Sequence, residues 1–175
     1  MLYVQCVAIS ILIGLETCFN SNAKEVRETH LKTSNAVLIG SASSNPWAAI
    51  ADSETNFGIV PGASMQGASI VNTSPQPGEA ASYSSHWNEP SHETFALIDF
   101  VPNLSGTGHL LLLEGLDVAG TQSAAEFLFR SNAISSILNR ARRQHGSLGP
   151  FEILLRSTSI QSNSAGSQII ATRFH

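Results

Sequence analysis

Two apolar runs separated by only six residues constrain this chain more than any other feature. FALIDFVP spans residues 95–102 and HLLLLEG spans 109–115, and the intervening NLSGTG has the Gly, Ser and Asn content of a tight turn. A connection that short joins antiparallel strands, because a parallel crossover needs a dozen residues or more. The second run breaks on Gly115 and re-forms as DVAGTQSAAEFLF, in which Ala124, Phe127 and Leu128 recur at helical spacing. SNAISSILNRARRQHG repeats that pattern through Ile134, Ile137, Leu138 and Ala141 and stops at Gly146.

Toward the N-terminus, NAVLIG (35–40) reads as a buried strand closed by glycine. SASSNPWAAIADSE then opens a helix, with Ser44 or Asn45 as N-cap, Pro46 at the first helical position and Trp47 as a lid on the sheet. Before this strand, KEVRET is a candidate short strand and HLKTS a turn or single helical turn. Residues 56–94, with prolines at 61, 75, 77 and 90, read as an irregular excursion holding the strand ASIVNT and a hairpin. FEILLRSTSI and SQIIATRFH flank the short loop SNSAG and form a terminal hairpin. These elements predict an α/β fold: a three-layer, Rossmann-like mixed sheet of five to seven strands, helices on both faces and a C-terminal β-hairpin.

At 175 residues and 42% hydrophobic the chain suits one domain. Its body is expected over residues 31–175, with an apolar helix and short strand in 1–30 belonging to it. Val4, Ala8, Ile11, Leu12 and Leu15 share one face of that helix. The alternative reading of residues 2–19 is a signal or membrane anchor. Ser21, Asn22 and Ala23 would serve as a cleavage site, and Leu15 to Cys18 distantly echoes a lipoprotein box. Against it, no Lys or Arg precedes the run, and Glu16 ends it short of the roughly 20 residues a spanning helix needs. The expected compartment is therefore the cytoplasm, with export or anchoring as the alternative. A chain that opens inside such a helix also suits the C-terminal part of a longer protein. Cys6 and Cys18 have no second pair and no histidine at zinc-ligand spacing, so they read as buried free thiols.

Only 13% of residues are charged, and 25 serines supply much of the polar surface, which suits burial against other domains or a second copy of the chain. The net charge of −4 argues against direct nucleic-acid binding, and Arg140, Arg142 and Arg143 read as the polar end of a helix.

Chemistry is expected at the two strand-turn-helix junctions, because helix N-termini present free N–H groups beyond the carboxyl ends of strands. Gly40, Ser41, Ser44 and Asn45 at the first, and Gly115, Asp117, Gly120 and Thr121 at the second, are the candidates for contact with an unidentified small ligand. Neither loop matches GxxxxGK[ST] or GxGxxG, so no nucleotide cofactor is implied. The competing reading gives the glycines to turn closure, Asp117 or Thr121 to capping and Ala124 and Ala125 to packing. A hydrolase or transferase alternative would use Ser41 or Ser44 with His109 or Glu114, although no GxSxG singles out a nucleophile. Asp99 lies inside a strand. His86 and His92, near Trp87 and Glu89, read as loop residues, and no metal site is expected. The sequons at Asn72 and Asn103 indicate surface loops.

LIG followed shortly by NPW, then PGE, the GT and AAEFL run, FEILLRSTS and QIIATRFH together resemble an uncharacterised α/β domain of soil-bacterial proteins. The resemblance covers roughly residues 30–175. In that family the domain stands C-terminal to winged-helix, transmembrane or tetratricopeptide regions, which implies a sensing or interaction role and carries over no catalytic residue. The chain departs from that architecture in having no room for a winged helix or repeats. The expectation is a non-enzymatic sensing or interaction domain, with a catalytic domain or a purely structural one as the alternatives.

Overall fold

In the computed structural model, residues 25–51, 55–62, 67–86, 92–129, 131–145, 148–160 and 163–175 are described. The apolar segment 2–19, with Cys6 and Cys18, lies outside them. The elements in chain order are α1 (Glu28–Thr33), β1 (Ala36–Ile39), α2 (Ala48–Ala51), β2 (Phe57–Val60), β3 (Ser69–Asn72) and β4 (Ser82–Ser84). They continue with β5 (His92–Pro102), β6 (His109–Gly115), α3 (Val118–Leu128), α4 (Ser131–His145), β7 (Phe151–Ile160) and β8 (Asn163–Phe174).

The short 103–108 connection makes β5 and β6 antiparallel, in a register from Ala96 opposite Gly115 to Pro102 opposite His109. β5 also pairs antiparallel with β7, and β7 with β8, while β1 runs parallel to β6. The result is a five-stranded sheet in the order β1-β6-β5-β7-β8. β2, β3 and β4 form a separate three-stranded antiparallel sheet.

Successive strand residues point to opposite faces, which divides the apolar runs into two sets. Ala96, Ile98, Phe100, Leu111, Leu113, Phe151, Ile153 and Leu155 face Ala124, Phe127 and Leu128 of α3 and Ile134, Ile137, Leu138 and Ala141 of α4. On the opposite face, Phe95, Leu97, Leu154 and Ala171 pack against Phe57 and Ile70 of the small sheet. Toward β1 that face meets Leu31 of α1 and Ala48 of α2 through Val101, Leu110 and Leu112. Each fully buried side chain of this size contributes about 1.5–3 kcal/mol, so both layers hold the central sheet.

The expected three-layer, Rossmann-like α/β fold with helices on both faces is therefore corrected. Among the described residues there are eight strands. Among those residues the long helices cover one face, and the other is covered mainly by a second sheet, with α1 and α2 supplying six and four residues. The physical reason lies in the apolar runs themselves. A strand apolar on both sides requires two covers, yet its side chains pack equally well on a helix or on a sheet. Locally, the single helical turn anticipated as one reading of HLKTS is α1, which begins at Glu28 inside the candidate strand KEVRET, and the helix anticipated from Pro46 begins at Ala48.

A polar set on β7 and β8 fastens the small sheet to the large one. Glu152 is fully buried, and its carboxylate accepts from Asn56 N at 2.9 Å through both oxygens and from Phe57 N at 3.0 Å. His175 Nε2 lies 2.6 Å from Glu152 Oε1. Opposite Glu152 in the ladder, Arg173 pairs with Glu79, donates to Ser74 O at 3.2 Å and places its guanidinium 4.9 Å from the Phe57 ring centroid.

Candidate functional site

The parallel pairing of β1 with β6 sets the two glycine loops side by side. Ile39 lies opposite Leu113, and Gly40 N donates to Leu113 O at 2.9 Å, so both chains leave the sheet at the same end. Gly40 has φ +91°, a left-handed conformation that glycine adopts without strain, and this turns the chain into the serine loop.

Within that loop most polar groups serve the loop itself. Ser44 Oγ donates to Ser41 O at 3.1 Å, and the Ser41 and Ser43 hydroxyls are 3.0 Å apart. Asn45 is buried: Nδ2 donates to Ile39 O at 3.3 Å while Oδ1 accepts from Trp47 N at 3.2 Å. It acts as the keystone that ties the strand end to the start of α2.

The second loop is organised by its helix cap. Asp117, in extended backbone, accepts from Gly120 N at 2.6 Å, and Thr121 Oγ1 donates to Asp117 O at 3.1 Å. An aspartate here satisfies one of the orphan N–H groups of α3 and complements its dipole. Gly115 and Gly120 are buried, and their missing side chains are a packing requirement. A Cβ on Gly115 would lie 2.2 Å from Thr121 N, and one on Gly120 would lie 2.7 Å from Phe95 O. These glycines let α3 start directly against β5 and β6.

The eight ligand-contact candidates are thus gathered at one end of the sheet, but Asn45, Gly115 and Gly120 are inside it. What faces outward is the serine loop, with exposed Ile39 and Ile50 on either side of it and Val118, 77% exposed, at the first turn of α3.

Of the groups in the catalytic alternative, His109 is set apart from the serine loop. His109 is the first residue of β6, four residues before the Leu113 that meets Gly40, which at about 3.3 Å per residue puts it roughly 13 Å from the serine loop. It stacks on Phe100 at 4.5 Å between ring centroids, and desolvation there holds its pKa below the usual imidazole value. Glu114 adjoins the loop in the chain, but it is fully buried. Ser41 and Ser44 therefore have no imidazole beside them from His109. Elsewhere, His86 joins Glu93 through backbone pairing, with His86 N donating to Glu93 O at 3.0 Å, while Trp87 and Glu89 lie outside the described residues. Among the described residues no three His, Cys, Asp or Glu side chains are grouped to hold a metal, and no helix is long and apolar enough to cross a membrane.

Comparison with known proteins adds no family to this geometry. No family model, curated protein or solved structure matches the chain.

The polar set of Glu152, Arg173, Glu79 and His175 was not legible as a unit beforehand. Its only local sign is a carboxylate and an arginine inside β-rich runs, FEILL and IATRF, at positions where the neighbours are apolar.

Proposed function

We propose that the chain is a non-enzymatic sensing or interaction domain of a bacterial regulatory protein, with the loops after residues 40 and 115 as its contact region. One observation carries this reading: the parallel β1–β6 pair puts both loops at one end of the sheet. Exposed Ile39, Ile50 and Val118 beside them supply apolar contact area. Because the loop hydroxyls and the Asp117 carboxylate are engaged within their own loops, the ligand this region suits is a partly apolar small molecule that competes for few hydrogen bonds. The regulatory setting comes from the resemblance to the C-terminal domain of soil-bacterial proteins. The hydrolase or transferase reading draws nothing from His109, which stands at the far end of β6, and would rest on Glu114 beside the loop.

The test is a thermal-shift screen against partly apolar small molecules, with nucleotides, sugars and phosphorylated metabolites as the polar comparison set, repeated with Val118→Asp and Ser44→Ala. Stabilisation by a compound that either substitution abolishes supports the loop region. A shift that both variants retain removes the ligand from these loops. Ester hydrolysis that disappears in Ser41→Ala would instead establish the catalytic alternative.

A further inference from the structure

The outer side of β8 is a groove of about 430 Å³ whose lining includes six consecutive residues, Ile169 to Phe174. Successive side chains of a strand point to opposite faces, so six in a row can line one groove only if it runs along the strand's edge. Its floor is then the outward backbone of the last strand in the five-stranded sheet. One wall is the turn bearing Gln76 and Glu79, from the small-sheet layer, and the other is Arg140 of α4, from the helix layer. Part of the floor is already used, since Arg173 Nη1 donates to Thr172 O at 3.0 Å.

The two walls differ in charge. Glu79 is ion-paired with Arg173, so that side is electrically balanced. Arg140 is exposed, lies 4.4 Å over the Phe174 ring, and among the described residues has no ion pair. Among the described residues, Arg140 is thus a cation without an ion pair beside an edge strand's hydrogen-bonding row. The residues of this edge are half-buried, with Ala171 buried, and an edge row of backbone groups lining a groove invites pairing by another strand.

We infer that this groove receives an extended segment of a partner polypeptide, added to β8 as a sixth strand, with an aspartate or glutamate of that segment paired to Arg140. Backbone hydrogen bonds supply the affinity in this mode of recognition, and side-chain pockets supply the selectivity. A second copy of this chain pairing through the same edge fits less well. The 169–174 stretch contains no carboxylate and would bring Arg173 toward Arg140. This inference is independent of the loop reading above, because β8 lies at the opposite edge of the sheet from β1.

The experiment uses the full chain and a panel of fluorescein-labelled nonapeptides of alternating threonine and valine. Each carries one glutamate, moved through successive positions, with glutamine and lysine counterparts. Fluorescence anisotropy should show at least one glutamate peptide binding. Its affinity should be about fivefold weaker for the glutamine counterpart and for Arg140→Gln, the size expected of an exposed ion pair. With Arg140→Glu the preference should invert toward lysine. Backbone amide shifts on binding should centre on Ile169 to Phe174. Four results would overturn the inference: no binding by any peptide at millimolar concentration, affinity indifferent to both charge changes, amide shifts centred on β1, or a concentration-dependent dimer that excludes the peptides.

Discussion

Replacing Glu152 by alanine tests whether the two sheets are held together by a buried polar contact as well as by apolar packing. The carboxylate lies fully buried on β7 and accepts the N–H groups of Asn56 and Phe57, which begin the small sheet. Its loss strands the buried Phe57 N–H and the half-buried Asn56 N–H, at about 1–3 kcal/mol for a donor closed to water and less for the second. The expected destabilisation is therefore about 2–5 kcal/mol, a large part of the roughly 5–15 kcal/mol that holds a domain folded. For a chain of this length that corresponds to a melting temperature lower by about 10 °C. Glu152→Gln keeps one acceptor oxygen but turns an amide N–H₂ toward a donor, so it should recover about half. The assay is urea unfolding combined with amide hydrogen exchange. The amides of Asn56, Phe57 and β3 should lose protection before those of β5 and β6. A loss below about 0.5 kcal/mol, or protection falling evenly across both sheets, would refute the claim that this carboxylate fastens the layers.

Three further outcomes are expected. Gly115→Ala should cost about 2–4 kcal/mol in a melting experiment, because its Cβ meets backbone atoms at 2.2 and 2.5 Å, whereas Gly58→Ala, with nothing within 4 Å, should stay within about 0.5 kcal/mol. Glu79 is held at a pKa of about 2 against 4.5, first by its hydrogen bond with Arg173, against the opposing effect of desolvation, and then by bonds from Gln76 and Asn72. A lowered folded pKa gives stability that is complete above pH 4.5 and is lost as pH falls toward 2, so Glu79→Gln should flatten acid unfolding in that window. His109, desolvated against Phe100, should titrate below 6.5 by NMR, and its contribution, complete above that pH, should fall away as the pH drops through it. An unshifted titration would remove the packing argument for that ring.

The candidate site was partly legible because much of it is local. Asp117 capping Gly120 three residues on, or Asn45 bonding Trp47 two residues on, are contacts that short-range sequence patterns encode. What the glycines do was not legible. Gly120 is small because Phe95 O, a strand away, lies where its side chain would be. Nor could the sequence say that His109 and the serine loop stand at opposite ends of β6, since that follows from β1 pairing in parallel with β6.

Chain connectivity and hydrophobic pattern by themselves determined that 95–102 and 109–115 are an antiparallel core pair and that 118–128 and 131–145 are helical on an inward stripe. They also determined that the main strands need cover on two sides. Only the tertiary structure decided what that cover is, because the three- and four-residue strands of the Pro-, Gly- and Ser-rich excursion carry little periodic signal. Those strands take their place from partners far along the chain. Asn56 N finds its acceptor on Glu152, 96 residues away, and Phe57 finds its apolar surface on β5 and β7. Such contacts form only when the layers close, and no window of sequence contains both halves of them.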